Sequence, residues 1–220
     1  MTRGLLNARR PFGLTFLFAL AMLTVTAVAE SPPTADLTAI FNGTDLTGWK
    51  VVGEPYWKVV AGAIVGENDS EKKGSMLYTE KPYGDVIVEG EFRFTGEIDS
   101  GIMVRKPELQ VQIGTSRKLQ KDMTCSFYTG TYPEEARAPK AAALLKSGEW
   151  NRIRLAAKGD TFTVWLNGQQ VSQYTSDKYR EPAPIGLQIH ANLEMKVEFR
   201  DLRAKADRKS TRLNSSHLVI

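Results

Sequence analysis

Cysteine and histidine are almost missing from this 220-residue chain: Cys125 stands alone, and the only histidines are His190 and His217. A lone cysteine excludes an internal disulfide and a cysteine-based metal site. His217 lies in an unpatterned C-terminal stretch, so His190 is the sole imidazole of the patterned region, which excludes an HExxH zinc site and histidine clusters. Sustained helical periodicity is missing as well. Only Pro139 to Leu145 shows a 3.6-residue period, and it is too short for more than a turn of helix. Excess positive charge disappears on inspection. The chain holds 29 Lys and Arg against 25 Asp and Glu. Six of the basic residues (Arg3, Arg9, Arg10, Arg208, Lys209 and Arg212) lie in residues 1–29 and 208–220, which carry no acidic residue, so the part between is near −2. No basic footprint for nucleic acid remains.

One long apolar run is present, from Phe12 to Val28. It follows three arginines and ends at Ala27-Val28-Ala29, a small-x-small cleavage signal, before Glu30 and a Ser-Pro-Pro linker. The run is about long enough for a retained membrane anchor, but its flanks read as a signal peptide over residues 1–29, with a linker over 30–36. The expectation is export to the periplasm or beyond, with no stable membrane span after leader removal. The far end, residues 207–220, ends in "KSTRLNSSHLVI", which has no period and reads as a non-native, disordered tail. One domain over residues 37–206 is left, large enough to bury a core without disulfides.

Within that domain the pattern is short alternation, repeated. "YWKVVAGAIVGE" gives two runs around Gly62, and "SMLYTEKPYGDVIVEGEFRFTGEIDSGIMVRK" gives three more. "ELQVQIGT", "NRIRLAAKGDTFTVWLNGQQVSQY", "IGLQIHA" and "KVEFRDLRAK" continue it, with Asn167-Gly168 and Lys158-Gly159-Asp160 as tight turns. Ten or more short strands with turn signals predict an all-β, antiparallel β-sandwich.

Alternation also sorts faces. Ile102, Val104, Leu109, Val111, Ile113, Phe162, Val164, Leu166, Leu187 and Ile189 are expected in the core. Opposite them fall Asp99, Met103 and Arg105, then Gln110 and Gln112, then Thr163 and Trp165, then Gln188 and His190. For any single strand this is ordinary amphipathicity. As a set, amides, a guanidinium and an indole suit a neutral, hydroxyl-rich ligand, because they offer planar hydrogen bonding and an apolar plate.

"FNGTDLTGW", "EGEFRF…DSGIMVR", "LQVQI", "GEWNRIRLAAKGDTFTVWLNGQQV" and "PIGLQIH…VEFRDLRAK" occur in the order seen in the 3-keto-disaccharide hydrolase domain family. The resemblance covers about Leu37 to Lys205. It implies a concanavalin A-like jelly roll, with Phe41 and Trp49 as core or edge plugs. It further implies cleavage of glycosidic bonds in sugars that carry a keto group at C3.

Such a ketone acidifies the C2 hydrogen, so a base can remove it and the C1 leaving group can depart by elimination, with water adding afterwards. His190, at the family position after "PIGLQ", is the expected base. Arg105, matching the arginine of the family's "SGI..R" motif, is expected to stabilise the enolate oxygen. Gln112, Gln188 and Gln110 are expected to hold hydroxyls, with Trp165 as a sugar plate on a shared concave face. Three positions depart from the family pattern: Asp99 stands where Asn is common, Gln110 where Glu is common, and Val164 where His is common. Asp99 with His190 is a thin candidate pair for a divalent metal ion. The departures leave open a second reading, a non-catalytic, lectin-like carbohydrate-binding module on the same fold.

Overall fold

The computed structural model describes Met1 and residues 36–206; the expected leader, the Ser-Pro-Pro stretch and the tail from residue 207 lie outside the described residues. Strand is the dominant element of the described chain. The first seven are β1 (Thr38–Ala39), β2 (Trp49–Gly53), β3 (Trp57–Val60), β4 (Ala63–Glu67), β5 (Ser75–Tyr83), β6 (Val86–Phe94) and β7 (Asp99–Val104). Next come β8 (Leu109–Ser116), β9 (Lys121–Asp122) and β10 (Phe127–Tyr128), a 3-10 turn at Glu134–Ala136, and the single helical turn α1 (Ala141–Leu144). Then follow β11 (Asn151–Lys158), β12 (Thr161–Leu166), β13 (Gln169–Thr175), β14 (Ala183–Ile189) and β15 (Lys196–Ala206). Among the described residues no helix is long and apolar enough to cross a membrane.

All pairings are antiparallel and make two sheets. The first runs β13-β12-β11-β6-β15-β4-β3, with β1 added beside β15; the second runs β10-β8-β7-β14-β5-β2, with β9 beside β8. The predicted sandwich is therefore present, and the turns that define it are those legible in the chain. Asn167 and Gly168 both have positive φ (49° and 88°), the backbone of a two-residue hairpin between β12 and β13. Ala61 and Gly62 (50° and 78°) do the same between β3 and β4.

The sheets meet through the residues that alternation assigned inward, Phe162 among them, and through Phe92, Phe127 and Phe199, all fully buried. Phe127 of the second sheet meets Phe162 of the first edge-on, with ring centroids 6.2 Å apart. Burying each such side chain contributes about 1.5–3 kcal/mol. Phe41 and Trp49 are buried as well, and the Trp49 indole donates to the Ile40 carbonyl at 2.8 Å. Between them Asn42 accepts from the Thr44 and Asp45 backbone and donates to the Asp45 carboxylate, so this loop is a knotted plug at the sandwich edge.

Candidate functional site

The outer face of the second sheet gathers most of the polar residues singled out above. β8, β7 and β14 are neighbours there. Gln112 lies opposite Gly101, and Gln110 opposite Met103, on the β8–β7 ladder. Gln188 follows Leu187, whose partner is Ile102, so Gln188 comes beside Gly101 from the other side. Gly101 is what lets them meet: a Cβ there would lie 2.6 Å from Gln110 Nε2 and 2.8 Å from the Val111 carbonyl. Asp99, Gln110, Gln112, Gln188 and His190 line one cleft of about 300 Å³, whose rim is made by Ser116, Arg117, Lys118, Tyr128 and Tyr132.

One hydrogen-bond network fixes the floor. Gln112 Nε2 donates to Asp99 Oδ1 at 2.8 Å. A carboxylate only accepts, so this bond orients the amide. Gln112 Oε1 then accepts from Gln110 Nε2 at 2.8 Å and from the Tyr132 hydroxyl at 2.9 Å. Gln110 Nε2 also reaches Gln188 Oε1 at 3.1 Å. Asp99 Oδ2 accepts from the Arg117 backbone N–H at 3.2 Å. Gln112 is 1% exposed and Asp99 6%, because the segment from Arg117 to Tyr132 folds over them. Burial above all, with the Asp99 charge and Tyr128 nearby, raises the Tyr132 pKa, although a hydrogen bond with Ser116 opposes this. Tyr132 is thus held as a neutral donor. Among the described residues these bonds engage Gln110 through Nε2 and Gln188 through Oε1, so Gln110 Oε1 and Gln188 Nε2 can meet a ligand hydroxyl.

His190 sits at the end of this floor, its backbone N–H donating to the Asp99 carbonyl at 3.2 Å. Its Nδ1 is 2.7 Å from the Ala191 carbonyl oxygen, which can only accept. That contact places the proton on Nδ1 and leaves Nε2 of the neutral ring as the basic atom. Each Asp99 oxygen accepts one N–H, and among the described residues no three His, Cys, Asp or Glu side chains are placed to share a cation.

Two expected members are elsewhere. Arg105 has φ 67°, which breaks the alternation of β7 and turns its side chain between the sheets. There it is 3% exposed, paired with Asp85 at 2.6 Å and donating to the Arg180 carbonyl at 2.9 Å. It cannot reach an enolate in the cleft. Trp165 does lie on an outer face, but on that of the first sheet, across the β11–β12 ladder from Arg154. Arg154 pairs there with Glu89 at 2.6 Å. The aromatic rings that line the cleft are instead Tyr128 and Tyr132, whose centroids are 5.1 Å apart. Sequence reasoning passed over both. The one signal was "YTGTY", two tyrosines placed symmetrically about a turn-forming glycine.

A family model described as the 3-keto-alpha-glucoside-1,2-lyase-like domain matches residues 36–205. No curated protein matches the sequence closely enough to count as a relative. Among solved structures, a candidate glycosyl hydrolase from Parabacteroides distasonis is 21% identical with a TM-score of 0.58, over 78% of this chain and 94% of that one. A Bacillus subtilis protein with a galectin-like fold is 13% identical, with a TM-score of 0.56 over 72% and 89% of the two chains. The Bacillus licheniformis β-glucanase is 12% identical, with a TM-score of 0.54 over 74% and 94%. Likeness at these identities speaks to the jelly-roll fold alone.

Proposed function

This chain belongs to the 3-keto-alpha-glucoside-1,2-lyase-like domain family, and on that premise we propose that it cleaves 3-keto-glycosides by elimination in the cleft of the second sheet. The observation that carries the reading is His190: a cleft residue whose Nδ1 is tied to a carbonyl, leaving Nε2 as a base. Nε2 takes the proton from C2 of the sugar. The electron pair moves toward C2–C3, and negative charge gathers on the C3 oxygen. In this reading that charge is met by Arg117, a residue of the same cleft, in the role expected of Arg105. Collapse of the enolate expels the C1 oxygen with its electron pair and leaves a C1–C2 double bond conjugated to the ketone. The departing oxygen takes a proton from the Tyr128 hydroxyl, which lines the cleft. Addition of water across the double bond then makes the net reaction a hydrolysis. Gln110 Oε1 and Gln188 Nε2 hold ring hydroxyls.

The second reading, a lectin-like module, draws on the cleft's single carboxylate, Asp99, having both oxygens engaged. The leader-like segment supports a place outside the cytoplasm for either activity. Purified protein incubated with a 3-keto-α-glucoside, with and without EDTA, separates the readings. Enone or 3-keto sugar should accumulate, and His190→Ala should lower kcat by about a hundredfold or more, the scale of a general base. The thermal midpoint should hardly move. Binding without turnover in the unaltered protein would leave the module reading standing in its place.

A further inference from the structure

The amides on the cleft floor form a chain that starts at a carboxylate, and this start fixes which atom of each amide faces a ligand. Asp99 and Gln112 are buried, whereas Gln110 and Gln188 are half-buried and open to the cleft. Asp99 Oδ1 only accepts, so the Gln112 atom 2.8 Å from it is Nε2, and Gln112 Oε1 points away. That oxygen accepts in turn, so the Gln110 atom 2.8 Å from it is Nε2. A main-chain group gives the same answer independently: the Ser100 carbonyl oxygen lies 3.4 Å from this Gln110 nitrogen. The Gln188 atom 3.1 Å from the nitrogen is then Oε1. Tyr132 does not set the direction, because a hydroxyl can donate or accept. At its open end the chain therefore shows a ligand one acceptor, Gln110 Oε1, and one donor group, Gln188 Nε2.

We infer that Asp99 is a positioning residue that determines specificity: through Gln112 it sets the direction of the amide chain, and with it which sugar hydroxyl donates and which accepts. The inference deepens the proposed function, on whose sugar site it rests, and it applies equally to a module that binds without turnover. The ligand it selects has one hydroxyl that donates to Gln110 Oε1 and another that accepts from Gln188 Nε2. An amide at position 99 would not hold this direction. Its oxygen would take the Arg117 N–H, which now goes to Asp99 Oδ2 at 3.2 Å, and its nitrogen would meet Gln112 and turn that amide round. The Ser100 carbonyl still calls for the original direction at Gln110, so the chain would face opposed demands and lose its single sense. His190 is spared by the exchange, because its backbone N–H bonds the Asp99 main-chain carbonyl.

The test is calorimetric binding of methyl 3-keto-α-glucoside to the full chain carrying His190→Ala, which leaves the sugar intact. The C2, C4 and C6 hydroxyls are replaced one at a time by hydrogen and by fluorine, which accepts weakly and cannot donate. At the hydroxyl that meets Gln188, the fluoro sugar should bind about threefold more tightly than the deoxy sugar, the scale of one weak hydrogen bond. Gln188→Leu should remove that gain. At the hydroxyl that meets Gln110, fluorine should bind no better than hydrogen. Asp99→Asn, with its thermal midpoint recorded, should erase this contrast or exchange the two hydroxyls. Gln112→Met cuts the relay with Asp99 in place; it should erase the contrast too, and it serves if the asparagine variant fails to fold. A folded variant that keeps the contrast at the same hydroxyls overturns the assignment. So does a chain with Asp99 intact that shows no contrast or does not bind the parent sugar. Turnover is read separately with His190 restored, so a contrast without turnover supports the role of Asp99 while the elimination reading fails.

Discussion

Arg105 shows how one backbone angle reassigns a residue. Its guanidinium bonds Asp85 and the Arg180 carbonyl and lies 6.0 Å from the Phe162 ring centroid. Arg105→Met should cost about 2–4 kcal/mol, because Asp85 loses its cation in a largely buried setting, although it keeps the Gly159 N–H. The folded variant should retain its kcat/KM on a 3-keto-glucoside, as nothing in the cleft touches it. A large kinetic loss without a stability loss would restore the arginine to the reaction. Period-two alternation placed Arg105 outward because alternation holds only while φ stays in the β region. A non-glycine residue at φ 67° carries no mark in the chain that announces it. The glutamines and His190 obey the alternation, and for that reason they were legible.

β7 is the strand on which the cleft depends, though it contributes only one side chain to its floor. Its outward positions are Asp99, Gly101 and Met103, and the middle one is empty so that Gln110, Gln112 and Gln188 can close over it. Gly101→Ala should force Gln110 aside and meet the Val111 carbonyl at 2.8 Å. The expected cost is about 1–3 kcal/mol of stability, the usual result of overpacking, with a rise in KM as Gln110 leaves its partners. Chemical denaturation and steady-state kinetics on one preparation would check both. An unchanged KM would mean that the glutamine network does not hold the substrate. Strand identity was the readable part here, since β7, β8 and β14 each announce themselves by alternation. Which sheet a strand joins was not readable, and Trp165 is the example: its face was right and its sheet was wrong. Tyr128 and Tyr132 escaped because one sits in a two-residue strand and the other in a loop, where no period exists to be seen.

For the molecule as a whole, the fold followed from turns and alternation, whereas the surface electrostatics emerge only from the assembled strands. Glu67 beside Lys58, Asp69 accepting from Tyr56, and Asp160 beside Arg180 are each held below the ordinary carboxylate range by those hydrogen bonds. A carboxyl whose pKa is lower folded than unfolded contributes stability above its unfolded value and loses it as pH falls through the folded one. The thermal midpoint should therefore stay level above about pH 5 and decline below about pH 4. These groups are exposed, so the decline should be shallow, and shallower in high salt. A midpoint that rises on acidification would contradict the assignment.

The placement of the four tryptophans has an optical consequence. Trp49 and Trp57 are buried, Trp165 is on the first sheet, and Trp150 lies between the Arg93 and Arg200 guanidiniums, 4.6 Å and 4.1 Å from its ring. None lines the cleft, where the aromatic rings are Tyr128 and Tyr132. Indole emission from this protein consequently tracks the melting of the sandwich and stays silent when a sugar arrives. Occupancy is written in the near-ultraviolet bands of tyrosine, so the two events can be followed in one cuvette at two wavelengths.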